Sequence, residues 1–520
     1  MSRIRLVLNA GILLIAAWHL HFLILHVQPE PSISATIRRP RPLTHQISIV
    51  DQAFLPPPSP PPLATFDVSE AVEASIEART KPFPVVLLAH ARATRLNLTL
   101  TSLRAVRGLD ASRVFILQDG TDPDVAAVVH ASGFRHATLP AHREPTVDDL
   151  KSGSTIAKAY QNALTMAFDE LTDDEAVVVV EDDLFFSPDL MEYFLAGYHV
   201  MKGDPTLWCV SAWNDNGFHG LVSPTQPKRL LRTGYFPGLG WLLTRSLYKQ
   251  QLEPGWPTEH WDHWMRSERV HKTSRGRECL IPSVPRTFHH GARGTFMSPV
   301  LHSQFFAQIA TSRDASIRWP PSEWPELRAR TTLAAYERAL RERIAAARPL
   351  TDLKELLRVA NGNSSGSSSI SSSSSSGSSS SSSSGGGGGI SGTLSLWYTQ
   401  PPRSTAVTVF KELAILLGLW HELRRAQHNG VHELWCAGST RLLLVNTLHM
   451  RNGEQTASPY ADLVPASPAV WTSGNVIKAA AKKAFRKLKL RERTSVCRLT
   501  GPTFDRGETS AERRRASSRH

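Results

Sequence analysis

The sequence predicts an α/β fold with a parallel sheet, because short apolar runs alternate with longer amphipathic segments in the middle of the chain. The apolar runs at residues 84–89, 114–117 and 176–180 are typical of buried strands. Residues 94–106 and 152–171 have the apolar spacing of helices that pack on a sheet. A strand, a helix and a second strand in this order form a βαβ unit, whose two strands are parallel.

The composition indicates a globular protein that also contains segments unable to build a core. The chain has 520 residues, of which 41% are hydrophobic and 20% are charged, so it can bury at least one large core. Its net charge is +13, and residues 478–520 contribute much of it, with 14 Lys and Arg against 4 Asp and Glu. We interpret this basic stretch as a solvated face or a disordered tail, and we expect no nucleic-acid partner.

The N-terminal residues indicate a membrane-anchored protein. Arg3 and Arg5 precede an apolar run at residues 6–27, which is about long enough to cross a bilayer as one helix. The arginines favour a cytoplasmic tail at residues 1–5 and a luminal remainder, which is a single-pass type II arrangement. A cleaved secretory signal is the alternative, although no clear cleavage site follows the run. The proline-rich residues 28–81 are expected to form an extended stem.

Two further features limit what the chain can be. Residues 361–393 are nearly all Ser and Gly, which is typical of a flexible loop or linker. Four cysteines in a luminal chain permit up to two disulfides, and their spacing alone does not fix the pairing. Because no two of them form a CxxC pair, we expect neither a zinc site nor thioredoxin-like chemistry.

Acidic side chains follow two of the predicted strands. Asp119 follows the second strand, and Glu181, Asp182 and Asp183 follow the third. In open α/β sheets, ligands bind beyond the carboxyl ends of the strands. Three adjacent carboxylates repel one another unless a hard cation such as Mg²⁺ or Mn²⁺ neutralises them, and Asp183 could hold such a cation between two phosphates. A solvated acidic turn is the commoner explanation of such a triplet taken alone, and the surrounding motifs reverse that preference.

Those motifs resemble one family over a long stretch. The blocks VVVVEDDLFFSPDLMEYF, LWCVSAWNDNG, FPGLGWLL, LEPGWP, WDHWMR and GREC are similar to the family of N-acetylglucosaminyltransferase I, together with its relative that acts on protein O-linked mannose. They occur in the order of that family between about residues 84 and 306. A weaker similarity links WYTQPPRSTAVTVFKELAILLGL, and the residues up to Val445, to the small C-terminal domain of N-acetylglucosaminyltransferase I.

The resemblance implies a GT-A nucleotide-sugar transferase fold, in which helices flank a mixed central sheet, followed by a small C-terminal α+β domain. It implies UDP-GlcNAc as donor, Mn²⁺ as the divalent metal, inversion at the anomeric carbon and a Golgi location with the catalytic domain in the lumen. The implied boundaries are a catalytic domain at residues 82–320, a small domain at 321–360 and 394–450, a Ser/Gly insertion at 361–393 and a basic, disordered tail at 451–520.

The resemblance also assigns roles to individual residues. Asp183 matches the metal ligand, and Asp262 in WDHWMR matches the catalytic base. An in-line displacement needs these two parts, because a base must act on the face opposite the departing diphosphate. The positions that match residues contacting or supporting the nucleotide sugar are Arg92, Asp119, Glu181, Asp182, Leu239, Trp261, Arg277 and, through an ambiguous alignment, Ser298.

The cysteines fit the family pattern in part. Cys209 and Cys279 match a family disulfide. A second disulfide of N-acetylglucosaminyltransferase I joins positions that correspond to His90 and Gly120, so both of its cysteines are absent here. The remaining two cysteines, Cys436 and Cys497, lie outside these matches, and their pairing stays open.

Two positions depart from the family in residues that concern the site. Ala159 stands in TIAKAYQNAL where the family usually has a donor-contacting histidine, and His263 stands in WDHWMR where it has a second acid. Neither departure removes the metal ligand or the base. Donor affinity or metal dependence could therefore differ in this chain.

These observations predict a metal-dependent enzyme that transfers GlcNAc to O2 of a terminal α-mannose of an N-glycan in a β1,2 linkage. Protein O-linked mannose is the alternative acceptor, and we expect the N-glycan because only a proline-rich stem precedes residue 82. A catalytically silent glycan-binding protein is the alternative from another functional class. The sequence leaves the oligomeric state open.

Overall fold

The computed structural model describes residues 81–140, 146–266, 276–350, 352–353, 355–356, 392–400, 408–436, 440–451, 454–465 and 470–487. The chain divides into a unit at Met1–Asp67, which lies outside these residues, and a unit at Val68–His520, to which all of them belong. The predicted tail, anchor and stem lie outside the described residues, apart from residue 81, as does nearly all of the Ser/Gly stretch. Among the described helices, none has the length and apolar character needed to cross a membrane.

The strands are β1 Val85–Ala89, β2 Val114–Gln118, β3 Arg135–Thr138, β4 Ala176–Glu181, β5 Leu184–Phe186, β6 Leu207–Ser211, β7 Leu230–Thr233, β8 Trp241–Thr244, β9 Glu278–Pro282, β10 Thr287–His289, β11 Arg348–Pro349, β12 Thr393–Tyr398, β13 Val431–Cys436, β14 Thr440–Asn446, β15 Leu448–Arg451 and β16 Glu454–Ala457. The α-helices are α1 Ala93–Arg104, α2 Pro123–Ser132, α3 Val147–Ser152, α4 Ser154–Met166, α5 Leu190–Lys202, α6 Arg245–Leu247, α7 Trp261–Met265, α8 Pro299–Gln304, α9 Trp324–Thr331, α10 Leu333–Ala346, α11 Val409–Leu417 and α12 Gly474–Lys487. Short 3₁₀ or π turns occur at Ala111–Arg113, Ala167–Leu171, Tyr248–Leu252, Glu253–Gly255, Phe306–Gln308, Pro321–Glu323 and Ala461–Leu463.

The large domain is built on an eight-stranded sheet with the order β3-β2-β1-β4-β8-β6-β9-β7. Strands β1 to β4 are parallel, as the sequence pattern predicts. Strand β8 then pairs antiparallel with both β4 and β6, and β7 pairs antiparallel with β9. The sheet is therefore mixed, in agreement with the fold that the resemblance implies.

Side chains alternate between the two covered faces of this sheet. In β1, Val85 and Leu87 enter one core, which they share with α1 and α5, while Val86 enters a second core beneath α4. A strand buried on both faces needs apolar residues throughout, which is why its sequence is a continuous apolar run. This burial holds the ends of β1 and β4 side by side.

The small domain contains the sheet β11-β12-β14-β13, which has helices on both faces. Helix α10 packs Leu340 and Ile344 against one face, and α11 packs Leu413 and Leu417 against the other. The second of these cores also includes Trp213 from the large domain. The two domains thus share a continuous apolar contact.

Two predicted boundaries need correction. Helix α9 lies beyond residue 320 but packs Trp324 and Leu327 into the core of the large domain, so that domain extends past its predicted end. The predicted disordered tail contains the ordered helix α12, whose Ile477 is fully buried in the small domain. Trp471, just before this helix, also forms a bridge with Tyr398 of β12. Apolar burial, and not net charge, decides the structure of this part of the tail.

A disulfide joins Cys209 of β6 to Cys279 of β9, as the family resemblance implies. The two residues are direct partners on neighbouring strands. The bond therefore ties together the half of the sheet that contains the antiparallel pairs. Cys436 is disulfide-bonded as well.

Candidate active site

The acids that follow β4 form a carboxylate cluster, which comprises Glu181, Asp182 and Asp183. Asp182 and Asp183 are each only 3% exposed. Strand β4 is fixed between β1 and β8, and the cluster begins where the strand ends. Because buried carboxylates repel one another, such a cluster needs positive charge close by.

Arg92 supplies that charge from the end of the neighbouring strand. Its Nη1 donates to Asp183 Oδ2 at 2.7 Å, and its Nη2 donates to Asp182 Oδ1. Burial lowers the pKa of Arg92, but the charges of Asp183 and Asp182 outweigh this effect and raise it. Arg92, which the sequence assigns to nucleotide binding, is thus held by the carboxylate cluster.

Asp183 has one oxygen that is fixed and one that is free to bind a ligand. His289 Nε2 lies 3.4 Å from Asp183 Oδ2, the oxygen that also bonds Arg92. Burial opposes ionisation of Asp183, yet His289 and Arg92 hold its pKa well below the usual range. Asp183 Oδ1 is buried, and the described residues offer it no hydrogen-bond partner. An ionised, unpaired and buried oxygen suits a hard cation.

The protein supplies few ligands for such a cation. Within the described residues, no group of three or more His, Cys, Asp or Glu side chains is arranged to hold a metal ion. Hard cations take six or more oxygen ligands, so a cation on Asp183 would take most of them from a substrate or from water.

The pKa of Glu181 is shifted in the direction opposite to that of Asp183. Burial and the charge of Asp183 raise its pKa to about 7, although a hydrogen bond from Tyr160 opposes the rise. The Tyr160 hydroxyl donates to Glu181 Oε1 at 2.5 Å. Tyr160 belongs to α4, so this bond fixes the cluster to the helix that covers the sheet.

Asp262 lies on a five-residue helix, α7, which we call the Asp262 helix. His260, the residue before it, has a φ of +46°, a left-handed conformation that is uncommon for residues other than glycine. The His260 amide donates to the Ser152 carbonyl at 3.1 Å, which fixes the entry to the helix. Trp261 stacks on Tyr160 with ring centroids 3.9 Å apart and on Trp256 at 6.1 Å.

The carboxylate of Asp262 is oriented and partly open to solvent. Its Oδ2 accepts from Arg266 Nη1 at 2.8 Å, and its Oδ1 accepts from the His263 amide at 2.9 Å. Its side chain is 34% exposed, compared with 5% for the side chain of Asp183. One acid of the site is therefore buried, and the other can meet a molecule that arrives from solvent.

Tyr160 brings the two parts of the site together. Burial raises the pKa of its phenol well above the usual value, and the charges of Glu181, Asp183 and Asp262 raise it further. Its hydroxyl donates to Glu181 of the carboxylate cluster, and its ring stacks on Trp261 of the Asp262 helix. The two parts that contain Asp183 and Asp262, which the resemblance assigns to metal and base, therefore meet at Tyr160.

Leu239 lies in a turn between β7 and β8 and has a left-handed backbone. Its φ is +53°, and its carbonyl accepts a hydrogen bond from Thr287 Oγ1 at 2.7 Å. A Cβ on the next residue, Gly240, would lie 2.9 Å from the Thr287 side chain, so the turn is packed closely on β10. The assignment of Leu239 to the donor pocket stays a prediction.

A loop at residues 290–298 passes over the carboxylate cluster. A Cβ on Gly291 would lie 2.3 Å from Asp183 Oδ2, and one on Gly294 would lie 3.8 Å from Arg92 Nη1. Further along, the Ser298 hydroxyl accepts from the Leu301 amide at 3.1 Å and caps α8. The structure therefore gives Ser298 a capping role, while the glycines make the closest approach to the cluster.

Asp119 and Arg277 lie on different elements around the sheet. Asp119 follows β2, and its amide donates to the Ala89 carbonyl at 2.7 Å, beside the strand that leads to Arg92. Arg277 precedes β9, and its Nη2 donates to Gln251 at 2.6 Å. These contacts place both residues near strand ends of the sheet, and their assignment to the donor stays a prediction.

Comparison with known proteins now decides the family. The model of the GNT-I family matches residues 62–368, which is more than half of the chain. The chain belongs to the GNT-I family. An alpha-1,3-mannosyl-glycoprotein 2-beta-N-acetylglucosaminyltransferase of Arabidopsis thaliana is 34% identical over 246 residues, which are 45% of this chain and 52% of that protein. The chain thus spans about half of the length of this curated relative.

Two solved structures of other proteins show a distant similarity to this member of the GNT-I family. The mannosyltransferase PcManGT of Pyrobaculum calidifontis, in complex with GDP-Man and Mn²⁺, is 14% identical, with 51% of this chain and 75% of that chain covered and a TM-score of 0.24. TarS of S. aureus, residues 1–349, is 13% identical, with 39% and 58% covered and a TM-score of 0.27. TM-scores this low carry no conclusion about this chain.

The positions that match the lost disulfide of N-acetylglucosaminyltransferase I are neighbours in this chain. A Cβ on Gly120 would lie 3.6 Å from the His90 ring. His90 Nδ1 also forms a hydrogen bond with the Asp119 carbonyl at 2.6 Å. A ring and a glycine thus occupy the space between the two strand ends in this GNT-I family member.

The two departures from the GNT-I family lie in different environments. Ala159 is 6% exposed and belongs to the core beneath α4, where a histidine would need more space. His263 is exposed on the Asp262 helix, and its ring lies 5.7 Å from the ring of His260. His263 therefore places an exposed imidazole directly after Asp262, at the position where the resemblance implies an acid.

Four residues of the site are not indicated by the sequence motifs: His289 and Gly291 beside Asp183, Arg266 on Asp262, and Tyr160, which bonds Glu181 and stacks on Trp261. Tyr160 directly follows Ala159, which the analysis singled out, so the neighbouring position was a possible signal. Arg266 lies one helical turn after Asp262, a spacing at which side chains meet. His289 and Gly291 contact Asp183 from a distant part of the sequence, and no local pattern indicates this.

Proposed function

We propose that this chain is an inverting glycosyltransferase that moves GlcNAc from UDP-GlcNAc to O2 of a terminal α-mannose of an N-glycan in a β1,2 linkage. The observation that carries the proposal is that Tyr160 contacts both parts of the site, by a hydrogen bond to Glu181 and by stacking on Trp261, in a chain of the GNT-I family. An inverting transfer needs an acid that serves the donor and a separate one that serves the acceptor. The mixed sheet, with its acids beyond the carboxyl ends of parallel strands, supports a GT-A fold.

The carboxylate cluster would form the donor half of the site. Asp183 Oδ1 would bind a divalent cation, for which Mn²⁺ is our proposal. A cation bound to Asp183 would act as a Lewis acid and would stabilise negative charge on the departing diphosphate. Arg92 and His289 keep Asp183 ionised and oriented, so the protein does not have to rearrange this ligand.

Asp262 would act as the general base. Its carboxylate is oriented by Arg266 and by the His263 amide, and its exposure lets an acceptor hydroxyl approach. It would take the proton of the mannose hydroxyl as that oxygen attacks the anomeric carbon from the face opposite the diphosphate. Trp261 holds the helix against Tyr160 and so relates the position of the base to that of the donor.

We further propose that the protein acts in the Golgi lumen as a single-pass type II membrane protein. This rests on Arg3, Arg5 and the apolar run at residues 6–27, all outside the described residues. Protease protection of the full chain in sealed Golgi vesicles tests it. Digestion of residues after the run without detergent would contradict the proposed orientation.

A transfer assay tests the proposed activity. The purified chain is incubated with UDP-GlcNAc, Mn²⁺ and either a mannose-terminated N-glycan or an O-mannosyl peptide, and the products are analysed by mass spectrometry and linkage analysis. We expect a β1,2-linked GlcNAc on the N-glycan, and loss of product with EDTA or with Asp183→Asn.

The other outcomes of this assay distinguish the alternatives. Product on the O-mannosyl peptide alone would move the function to the other branch of the family. Glycan binding without transfer would support a silent glycan-binding protein, for which the exposed His263 beside the base is the favouring observation. A protein that shows no glycan binding and no GlcNAc transfer would overturn the proposal.

A further inference from the structure

The small domain reaches the Asp262 helix through residues 420–425, which we call the small-domain turn. This segment follows α11. Arg424 Nη2 donates a hydrogen bond to the carbonyl of Arg266 at 2.6 Å. Arg266 is the C-cap residue of the Asp262 helix. A side chain from the small domain therefore caps the helix that bears the proposed base.

The Asp262 helix depends on such external support. Five residues form little more than one turn, which is not stable alone. Carbonyls at a helix C-terminus lack partners within the helix, and a cation suits the negative end of the helix dipole. The N-terminal end is held by the bond from His260 to Ser152 in the large domain. Arg424 gives the other end a partner from the small domain.

The side chain of Arg266 links this cap to the carboxylate of Asp262. Its Nη1 donates to Asp262 Oδ2 at 2.8 Å, and its Nε donates to the Phe236 carbonyl at 3.2 Å. The guanidinium carbons of Arg266 and Arg424 lie 5.3 Å and 5.8 Å from the centre of the Tyr235 ring. Both arginines therefore pack on one aromatic ring, and a shift of Arg424 would be felt by Arg266.

The small-domain turn is itself fixed to the large domain. Arg425 Nη1 forms an ion pair with Asp215 at 2.6 Å, and Asp215 is 2% exposed. The hydroxyl of Tyr235 donates to Glu422 Oε2 at 3.1 Å, and Arg425 Nε donates to the same oxygen at 2.9 Å. The cap from Arg424 thus comes from a segment with several anchors of its own.

We infer that Arg424 is a positioning residue for the reaction, and that the small domain sets the geometry of the base through Arg424, Arg266 and Asp262. The inference rests on the proposed function, because it presupposes that Asp262 removes a proton from an acceptor. Arg92 and His289 hold Asp183 from within the large domain, and Arg424 bonds the Asp262 helix instead. We therefore expect Arg424 to contribute to turnover and not to donor binding.

Kinetics of Arg424→Ala test this inference. We expect kcat to fall by about 10-fold to 100-fold, as for a slightly misplaced catalytic group. The KM for UDP-GlcNAc and the affinity for UDP with Mn²⁺ should stay within about two-fold of the wild type, because donor geometry is unchanged. Arg338→Ala, which removes an exposed arginine of α10, is the matched control and should keep the wild-type kcat.

Two further variants separate positioning from a purely structural role. Arg424→Lys keeps a cationic donor and should recover part of the lost kcat. Arg266→Ala keeps the main-chain carbonyl that Arg424 bonds but removes the side chain that links this cap to the Asp262 carboxylate. In that background, Arg424→Ala should therefore lower kcat less than it does alone. Thermal unfolding of each variant identifies any that fail to fold. If Arg424→Ala does not fold, the kcat of Arg424→Lys relative to the wild type tests the inference in its place.

The possible failures can be told apart. Wild-type kcat in a folded Arg424→Ala protein would overturn the inference, as would equal losses in kcat and in UDP affinity. Additive losses in the double variant would also contradict it. If the wild-type chain transfers no GlcNAc at all, the proposed function fails instead, before any variant is compared.

Discussion

The two acids of the site are held in opposite ways. Asp183 stands at the end of a central strand, with a side chain that is 5% exposed and fixed by Arg92 and His289. Asp262 stands on a five-residue helix, with a side chain that is 34% exposed and fixed by Arg266. The first position is built by the large sheet, and the second depends on loops, aromatic stacking and the small domain.

The difference matches what each acid has to do. A cation ligand has to be ionised before the metal arrives, and buried positive neighbours keep Asp183 in that state. A base has to reach a hydroxyl on a large acceptor, so Asp262 must remain open to solvent. The carboxylate cluster is therefore expected to govern donor affinity, and the Asp262 helix is expected to govern turnover.

Asp262→Asn should give the largest effect and separates the two halves most clearly. The asparagine amide has the same shape but cannot take the proton of the mannose hydroxyl, so we expect kcat to fall by roughly 10²-fold to 10⁴-fold. Binding of UDP with Mn²⁺, measured by calorimetry, should be unchanged because the carboxylate cluster is intact. The exposed Asp124→Asn on α2 serves as the control and should match the wild type in both measurements. A loss of UDP affinity as large as the loss of rate would mean that the two halves are not independent.

Gly291→Ala tests the donor half with a single methyl group. A Cβ at this position would lie 2.3 Å from Asp183 Oδ2, so the carboxylate or the loop must move. Overpacking of this kind costs about 1–3 kcal/mol, and we expect UDP affinity in Mn²⁺ to fall by about 5-fold to 100-fold. At saturating donor and metal, kcat should recover most of its wild-type value.

Gly294→Ala in the same loop is the matched control. Its Cβ would make ordinary contacts, 3.7 Å from Met297 and 3.8 Å from Arg92, so UDP affinity should change little. If both substitutions lowered UDP affinity equally, the cause would be a restricted backbone of the loop at residues 290–298 and not a displaced Asp183. In that case the loop, and not the strand end, would limit donor binding.

The sequence predicted the carboxylate cluster and its arginine better than it predicted the residues that support the Asp262 helix. The acids after β4 and the arginine after β1 are local features of strand ends, and the structure brings them together as adjacent parallel strands must. Arg424 was missed because its role depends on a contact between segments far apart in the sequence, whereas Arg266 lies only four residues after Asp262 and could have been found from that spacing. The antiparallel strand β8 was equally hidden, since pairing direction is not encoded in an apolar run.

The helix α12 shows how composition can mislead. Its many lysines and arginines suggested a disordered tail, yet Ile477, Ala480 and Ala481 have the spacing of a helix face and pack on the small domain. Charge on the outer face of a helix does not oppose burial of the inner face. The apolar spacing was visible in the sequence and should have outweighed the net charge.

An ion pair at the junction between the two domains allows the contribution of the small domain to stability to be tested, and we expect its effect on activity to be the smallest. His428, which precedes β13, is buried, and its Nδ1 lies 2.7 Å from Glu278 of β9. Burial alone would lower its pKa, but Glu278 and Glu337 raise it to about 9, against an opposing effect of Arg232. An imidazolium therefore joins the small domain to the large sheet through an ion pair.

The sign of the pH dependence follows from the raised pKa of His428. Its contribution to the free energy of unfolding should be complete below the unfolded pKa of about 6.5 and should be lost as the pH rises through about 9. His428→Gln should reduce the stability at pH 6 by up to roughly 3 kcal/mol and flatten its decline between pH 6.5 and 9. Urea unfolding across this pH range measures both quantities, and exposed His130→Gln should keep the wild-type slope. An unchanged slope in His428→Gln would mean that the ion pair of His428 with Glu278 does not contribute to the pH dependence of stability.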